Sequence, residues 1–252
     1  MNYSWKTSLL FSLVAAPLFA QGSLEVVNGA RFELKYPVSP GSYAQAYGVY
    51  AGVTVEFAQG VPLPKELGGT QVLVNGVAAP LYAVGPDVMS FVVPNDLPAG
   101  RATVRVTRAG ADLASGTMDV VPVSPGLFFV LGDPLAQGGV LNQENQYAIE
   151  ATPAQRGRAI QIFGTGQGPV DVTTPDGDVP PAGTLARATG VTRIFISVDE
   201  AEVLFSGLSP QFPGLWQVNA MVPDKPYITG QVPLIVTIDG VPTNQVSFWV
   251  SP

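Results

Sequence analysis

Along ATVRVTR (102–108), Val104 and Val106 fall on one side of an extended chain and Thr103, Arg105 and Thr107 on the other. That period of two marks a strand with one face buried and one wet. VPLIVTI (232–238) repeats it with Val232, Leu234, Val236 and Ile238. Turn formers stand between such runs: Asn75-Gly76, Pro98 with Gly100, Ala109-Gly110 and Asp239-Gly240. Asn-Gly and Asp-Gly supply the positive backbone angles of two-residue hairpins. Short strands recur at roughly 8–12-residue spacing, and no run carries a convincing helical period, so the pattern predicts antiparallel β-sandwiches.

The pattern also occurs twice. PGSYAQAYGVYAG (40–52) aligns with RGRAIQIFGTGQG (156–168), placing Gly41, Gln45, Tyr47, Gly48 and Gly52 each 116 residues before Gly157, Gln161, Phe163, Gly164 and Gly168. VLVNGVAAPLYAVGP (72–86) then matches IFISVDEAEVLFSGLSP (194–210), VMSFVVPNDLPAG (88–100) matches QVNAMVPDKPYITG (217–230), and ATVRVTRAG matches PLIVTIDG. The growing offset places insertions in loops between strands. VPVSPG (121–126), interrupted by two prolines, reads as the junction of two halves, 23–123 and 124–252, each of a length that suits an immunoglobulin-like sandwich.

Composition sharpens this all-β reading. With 28 Gly and 24 Pro in 252 residues, long helices are disfavoured, and 46% hydrophobic content is ample for two cores. Residues 1–22 carry Lys6, the eleven-residue run LLFSLVAAPLF and a small-residue ending, the make-up of a secretory signal peptide cleaved between 20 and 23. No other stretch reaches the about 18 apolar residues of a membrane helix, so a secreted or extracytoplasmic protein without a membrane span is expected. There is no cysteine, and stability must come from packing alone. A net charge of −7 with only 12 Lys and Arg disfavours nucleic acid as a partner.

The absence of histidine and cysteine removes the commonest general base, the thiol nucleophile and the main zinc ligands. Neither a Gly-x-Ser-x-Gly elbow nor a phosphate loop is present. Paired carboxylates would suffice for glycoside hydrolysis, but the densest acidic group, Asp199, Glu200 and Glu202, falls at an expected hairpin and reads as a solvated turn. TTPDGDVPPAG (173–183), with Asp171 nearby, offers oxygen ligands of the kind calcium takes, yet lacks the regular acids and distant glutamate of a calcium loop. No enzyme activity, cofactor or metal is therefore expected.

SPQFPGLWQ (209–217) carries the candidate ligand-binding residues Gln211, Phe212 and Trp216. Displayed on a loop, the aromatics would stack on sugar rings or anchor a protein. Alternatively, Trp216 begins a strand and points into the core, with Phe212 capping it.

PLPKELGGTQVLVNGVAAPLYAVGP, VVPNDLPAG, VSPGLF and LFSGLSPQFPGLWQVNAMVP together resemble the uncharacterised C-terminal domain family of exported acidobacterial proteins named after Solibacter. Each half further resembles an IPT/TIG module, an immunoglobulin-like fold, in the glycine that ends a strand at Gly48 or Gly164 and in Val-Pro followed by glycine. The chain departs from that family at Val88-Met89-Ser90, where a Gln-Val-Asn such as Gln217-Val218-Asn219 is usual. The resemblance implies a fold and an extracytoplasmic location, with no activity to transfer. The expected role is an exported interaction or structural module that contacts a protein or cell-surface polymer through loops or sheet edges. The alternative is a carbohydrate-binding module or a weak carboxylate-dependent hydrolase.

Overall fold

In the computed structural model, which describes residues 22–133 and 135–252, the alternating runs are strands and no residue among those described is helical. The leader expected over residues 1–22 lies, but for Gly22, outside them. The first half contributes β1 (Leu24–Asn28), β2 (Tyr43–Gly48), β3 (Glu56–Phe57), β4 (Thr70–Val74), β5 (Val77–Ala78), β6 (Leu81–Val84), β7 (Val88–Val92), β8 (Gly100–Arg108) and β9 (Ala111–Val120). One sheet orders them β1-β2-β7-β6-β3 and the facing one β5-β4-β8-β9. In immunoglobulin lettering these are A-B-E-D, extended by one short edge strand, and C′-C-F-G.

The second half contributes β10 (Gly126–Leu127), β11 (Val140–Leu141), β12 (Ala154–Gln155), β13 (Ala159–Thr165), β14 (Thr192–Ile196), β15 (Asp199–Ala201), β16 (Val203–Leu208), β17 (Trp216–Met221), β18 (Gly230–Ile238), β19 (Val241–Pro242) and β20 (Val246–Ser251). Its sheets run β10-β13-β17-β16 and β12-β20-β18-β14-β15, the same lettered order with extra strands at the edges. The chain is thus all-β, two tandem immunoglobulin-like antiparallel sandwiches. The strand that closes the second one is broken into β19 and β20, and Asn244 in the break clamps β10: its Oδ1 accepts from Leu127 N at 2.8 Å and its Nδ2 donates to Leu127 O at 2.9 Å.

The sheets form because apolar positions recur every second residue. On β8, Ala102, Val104 and Val106 are buried between exposed Arg101, Thr103 and Arg105; on β18, Val232, Leu234, Val236 and Ile238 are buried. Positive φ at Asn75 and Gly76, Ala109 and Gly110, and Asp239 and Gly240 gives the three tight hairpins the twist that matches their strands. Each sandwich encloses its own core, one centred on Val72, Met89, Phe91 and Val104, the other on Ile162, Ile194, Trp216 and Phe248.

β2 departs from simple alternation because every residue of Tyr43–Gly48 is buried. Ala44 and Ala46 face the first core. The opposite face, which would be wet in an isolated sandwich, carries Tyr43, Gln45 and Tyr47. Here polar groups satisfy one another: Tyr47 Oη donates to Gln45 Oε1 at 2.9 Å, and Gln45 Nε2 donates to Tyr43 Oη at 3.2 Å. Tyr43 Oη in turn donates to Ser90 Oγ at 3.2 Å. An amide buried without such partners would destabilise the fold by about 1–3 kcal/mol.

Burial away from solvent pushes the phenols of Tyr43, Tyr50 and Tyr82 well above the ordinary 10.0, and holds Tyr47 up at about 12 with a smaller contribution from Asp87. A folded value above the unfolded one means that the neutral phenol is favoured by folding. This stability is complete below about pH 10 and is lost as pH rises through the folded values. Between about pH 10 and pH 12 the denaturation midpoint should fall steeply while remaining flat near neutrality, and the phenolate absorbance of these four tyrosines should appear only as the protein unfolds.

Candidate functional site

The two sandwiches meet through a third apolar cluster made of Ala30, Tyr43, Phe128, Leu141, Phe163 and Leu215, with Tyr82 and Phe212 packed against it. The Tyr43 ring lies 5.6 Å from that of Tyr82 and 6.0 Å from that of Phe128, which belongs to the other half. Each fully buried aromatic or leucine there stabilises the junction by roughly 1.5–3 kcal/mol.

The loop that precedes β17 is the wedge of this junction. Tyr82 Oη donates to Pro213 O, Thr165 Oγ1 donates to Gly214 O and Tyr43 N donates to Thr165 Oγ1, each at 2.7 Å. Of the three residues singled out in this loop, only Gln211 is exposed. Phe212 is half-buried in the junction. Trp216 opens β17 fully buried in the second core, its Nε1 donating to Ser206 Oγ at 2.9 Å. The sequence had left loop display and core packing open; the geometry assigns the two aromatics to packing. Truncating Phe212 to alanine should therefore lower stability by about 2 kcal/mol in urea denaturation, because it removes half-buried ring area from the seam between the halves.

The acidic loop closes the junction from the other side. Asp176 Oδ1 accepts from Asn95 N at 2.9 Å, Asn95 Nδ2 donates to Thr174 O at 2.9 Å, and Leu63 N donates to Gly177 O at 2.8 Å. Gly177, at φ +73°, sits where an added Cβ would lie 2.5 Å from Pro80, so the loop approaches the first sandwich closely. Its other carboxylates serve local backbone: Asp171 Oδ1 takes Arg187 N at 2.7 Å and Asp178 Oδ1 takes Val179 N at 2.8 Å. Among the described residues no three acidic side chains converge as a cation would require. The second acidic group is also engaged, since Glu200 holds Arg193 through both oxygens at 2.8 and 2.6 Å and Asp199 accepts from Tyr227 Oη at 2.6 Å.

Between wedge and acidic loop remains a cleft of about 290 Å³, lined by residues of both halves that include Pro40, Asn95, Asp96, Gln167, Thr174 and Asp178. Gln167 is 3% exposed and its Oε1 has no protein partner. Amides, carboxylates and prolines line this cleft, with no aromatic wall.

No helix among the described residues is long and apolar enough to cross a membrane. No family model matches the chain, and no curated protein matches it. Among solved structures, the SGBP-B protein of the Bacteroides ovatus mixed-linkage glucan utilization locus, in complex with a mixed-linkage heptasaccharide, is similar at a TM-score of 0.35 and 13% identity over 88% of this chain and 45% of that one. A β-glycosidase from Bacteroides vulgatus matches at 0.25 and 13% over 91% and 24% of the two chains. A glycosyl hydrolase family 2 member from Bacteroides cellulosilyticus matches at 0.25 and 9% over 88% and 24%. The chain spans less than half the length of each of these proteins.

Proposed function

We propose that the chain is an exported, non-catalytic interaction module of the Solibacter-type family, which contacts a protein or cell-surface polymer through loops, sheet edges and the cleft between its sandwiches. The observation that carries the reading is the wedged junction. An apolar cluster and hydrogen bonds on both of its flanks hold the halves in one geometry. A surface composed of two halves held in this way binds without first losing interdomain freedom, which is how preorganisation raises affinity. Export is supported by the composition of residues 1–22.

The test immobilises the full chain and measures binding to native cell envelope separated into protein and polysaccharide fractions. Saturable binding to one fraction, weakened by charge-neutral substitutions in the cleft such as Asn95→Ala, is expected. No saturable binding to either fraction overturns the proposal. Fusion of a phosphatase reporter that folds only outside the cytoplasm checks export separately, since an inactive fusion would contradict it.

A further inference from the structure

The outer face of the second sandwich, away from the wedge, carries a feature that the junction does not use. On β20 the side chains of Val246, Phe248 and Val250 enter the core, which turns Ser247, Trp249 and Ser251 to the opposite face. Trp249 is only partly buried there, and the register of β18 and β20 sets Gln231 directly across from it. Cross-strand neighbours lie about 5 Å apart at their Cβ atoms, close enough to form one platform. Residues within 135–151 raise a wall along this platform, held by Trp249 N donating to Ala148 O at 2.9 Å and Ser247 N donating to Ala136 O at 2.9 Å.

Wall and platform enclose an open groove of about 510 Å³ lined by Trp249, Gln231, Gln137, Glu150, Asp133 and Ile149. Its amides are fixed in place. Gln137, 7% exposed, donates from Nε2 to Gly138 O at 3.2 Å and Ala148 O at 3.3 Å, and Gln231 Nε2 donates to Ser247 Oγ at 2.8 Å.

We infer that this groove is a binding subsite for a neutral glycan, with the indole of Trp249 as stacking surface and the amides and carboxylates as hydroxyl partners. One face of a pyranose presents C–H groups that pack on an aromatic ring, while the rim presents paired hydroxyls. Carboxylates accept hydrogen bonds from hydroxyls strongly, and amides both donate and accept. The volume suits a ligand of one or two sugar rings. Two carboxylates and no basic side chain in the lining repel an anionic polymer, and a single aromatic wall lacks the cage that holds a quaternary ammonium group. The inference rests on the binding reading above and names the ligand class and the residues that take it.

The experiment uses the full chain carrying Trp5→Phe, so that of its three tryptophans only buried Trp216 and groove-facing Trp249 emit. Soluble β-glucan, xylan and galactomannan are titrated, with polygalacturonate, a proline-rich peptide and an oligolysine as contrasts; tryptophan emission and retardation in glycan-containing gels are read. At least one neutral glycan should shift the emission and retard the protein. Trp249→Ala should weaken that binding by about tenfold or more, as loss of a central aromatic anchor does, and Glu150→Gln by about threefold. Trp249→Phe, which keeps an aromatic face, should retain part of the affinity and tests the groove even if the alanine variant folds poorly.

Equal glycan binding by wild type, Trp249→Phe and Glu150→Gln overturns the groove and leaves the binding module standing. So does binding of peptide or anionic polymer alone. Envelope protein bound without any neutral glycan overturns the glycan assignment only. Failure of both glycans and envelope fractions overturns the parent reading as well.

Discussion

Replacing Trp216 with alanine should lower the unfolding free energy by about 4 kcal/mol, the upper range for truncating a large core aromatic. The side chain is 0% exposed among Val218, Ile162, Ile194 and Phe248, so surrounding strands cannot collapse into the space without breaking their ladders. Its indole N–H also satisfies Ser206 Oγ, which shares a 2.8 Å hydrogen bond with Thr192 Oγ1. The effect extends beyond the second core because Trp216 ends the loop that inserts Phe212 and Leu215 between the sandwiches. Urea denaturation followed by circular dichroism should show a lower midpoint, and Trp216→Phe, which keeps most of the volume, should recover about half of the loss. A change below about 1 kcal/mol would show that the indole is not a core residue at all.

Gly166→Ala should cost about 3 kcal/mol through a different mechanism. Gly166 has φ +85°, where an L side chain is strained by roughly 1–2 kcal/mol. An added Cβ would also lie 1.9 Å from the carbonyl oxygen of Ser124 and 2.6 Å from its carbon, and backbone atoms have no rotamer by which to move aside. The clash falls on the segment that joins the halves, where Ser124 N donates to Gly166 O at 2.9 Å and Asn28 Nδ2 donates to Ser124 O at 2.7 Å. Displacing it removes about 1 kcal/mol per hydrogen bond and loosens the junction. Gly183→Ala is the control: φ there is +79°, yet nothing lies within 4 Å of the new methyl group. That variant should lose only the conformational part, about 1 kcal/mol, and the difference between the two denaturation midpoints isolates the steric term.

These two residues show unequal degrees of legibility. The glycine signal of Gly164 and Gly168 was visible as a match to Gly48 and Gly52, whereas Gly166 aligns with Tyr50 and carried no such signal. What Gly164, Gly166 and Gly168 approach was not visible, since Gly126, Ser124 and Pro122 respectively lie some forty residues earlier and meet them only once the sheets have closed. Trp216 and Phe212 gave a weaker signal. An aromatic in a Pro/Gly loop reads as a displayed anchor or a plug, and it is Tyr43 and Tyr82 across the seam that make Phe212 a plug, while Ile162, Ile194 and Phe248 enclose Trp216. The acids at 171–178 were similarly ambiguous, because Asn95, which takes up Asp176, belongs to the other half. The groove at Trp249 had half a signal: alternation in VSFWVS turns the indole outward, but its wall is built by residues about a hundred positions upstream.

Local rules therefore determined the strands and the hairpins in each half, because a period of two and positive-φ turns are properties of neighbouring residues and hold in any context. Tertiary structure alone decided which polar and aromatic residues are hidden in the seam, which acids are already occupied and where an indole stands beside free space. Burial depends on what the far parts of the chain bring against a side chain. For Gln45, whose amide reaches Ser90, and for Phe212 and Trp249 those partners belong to strands and loops remote in sequence.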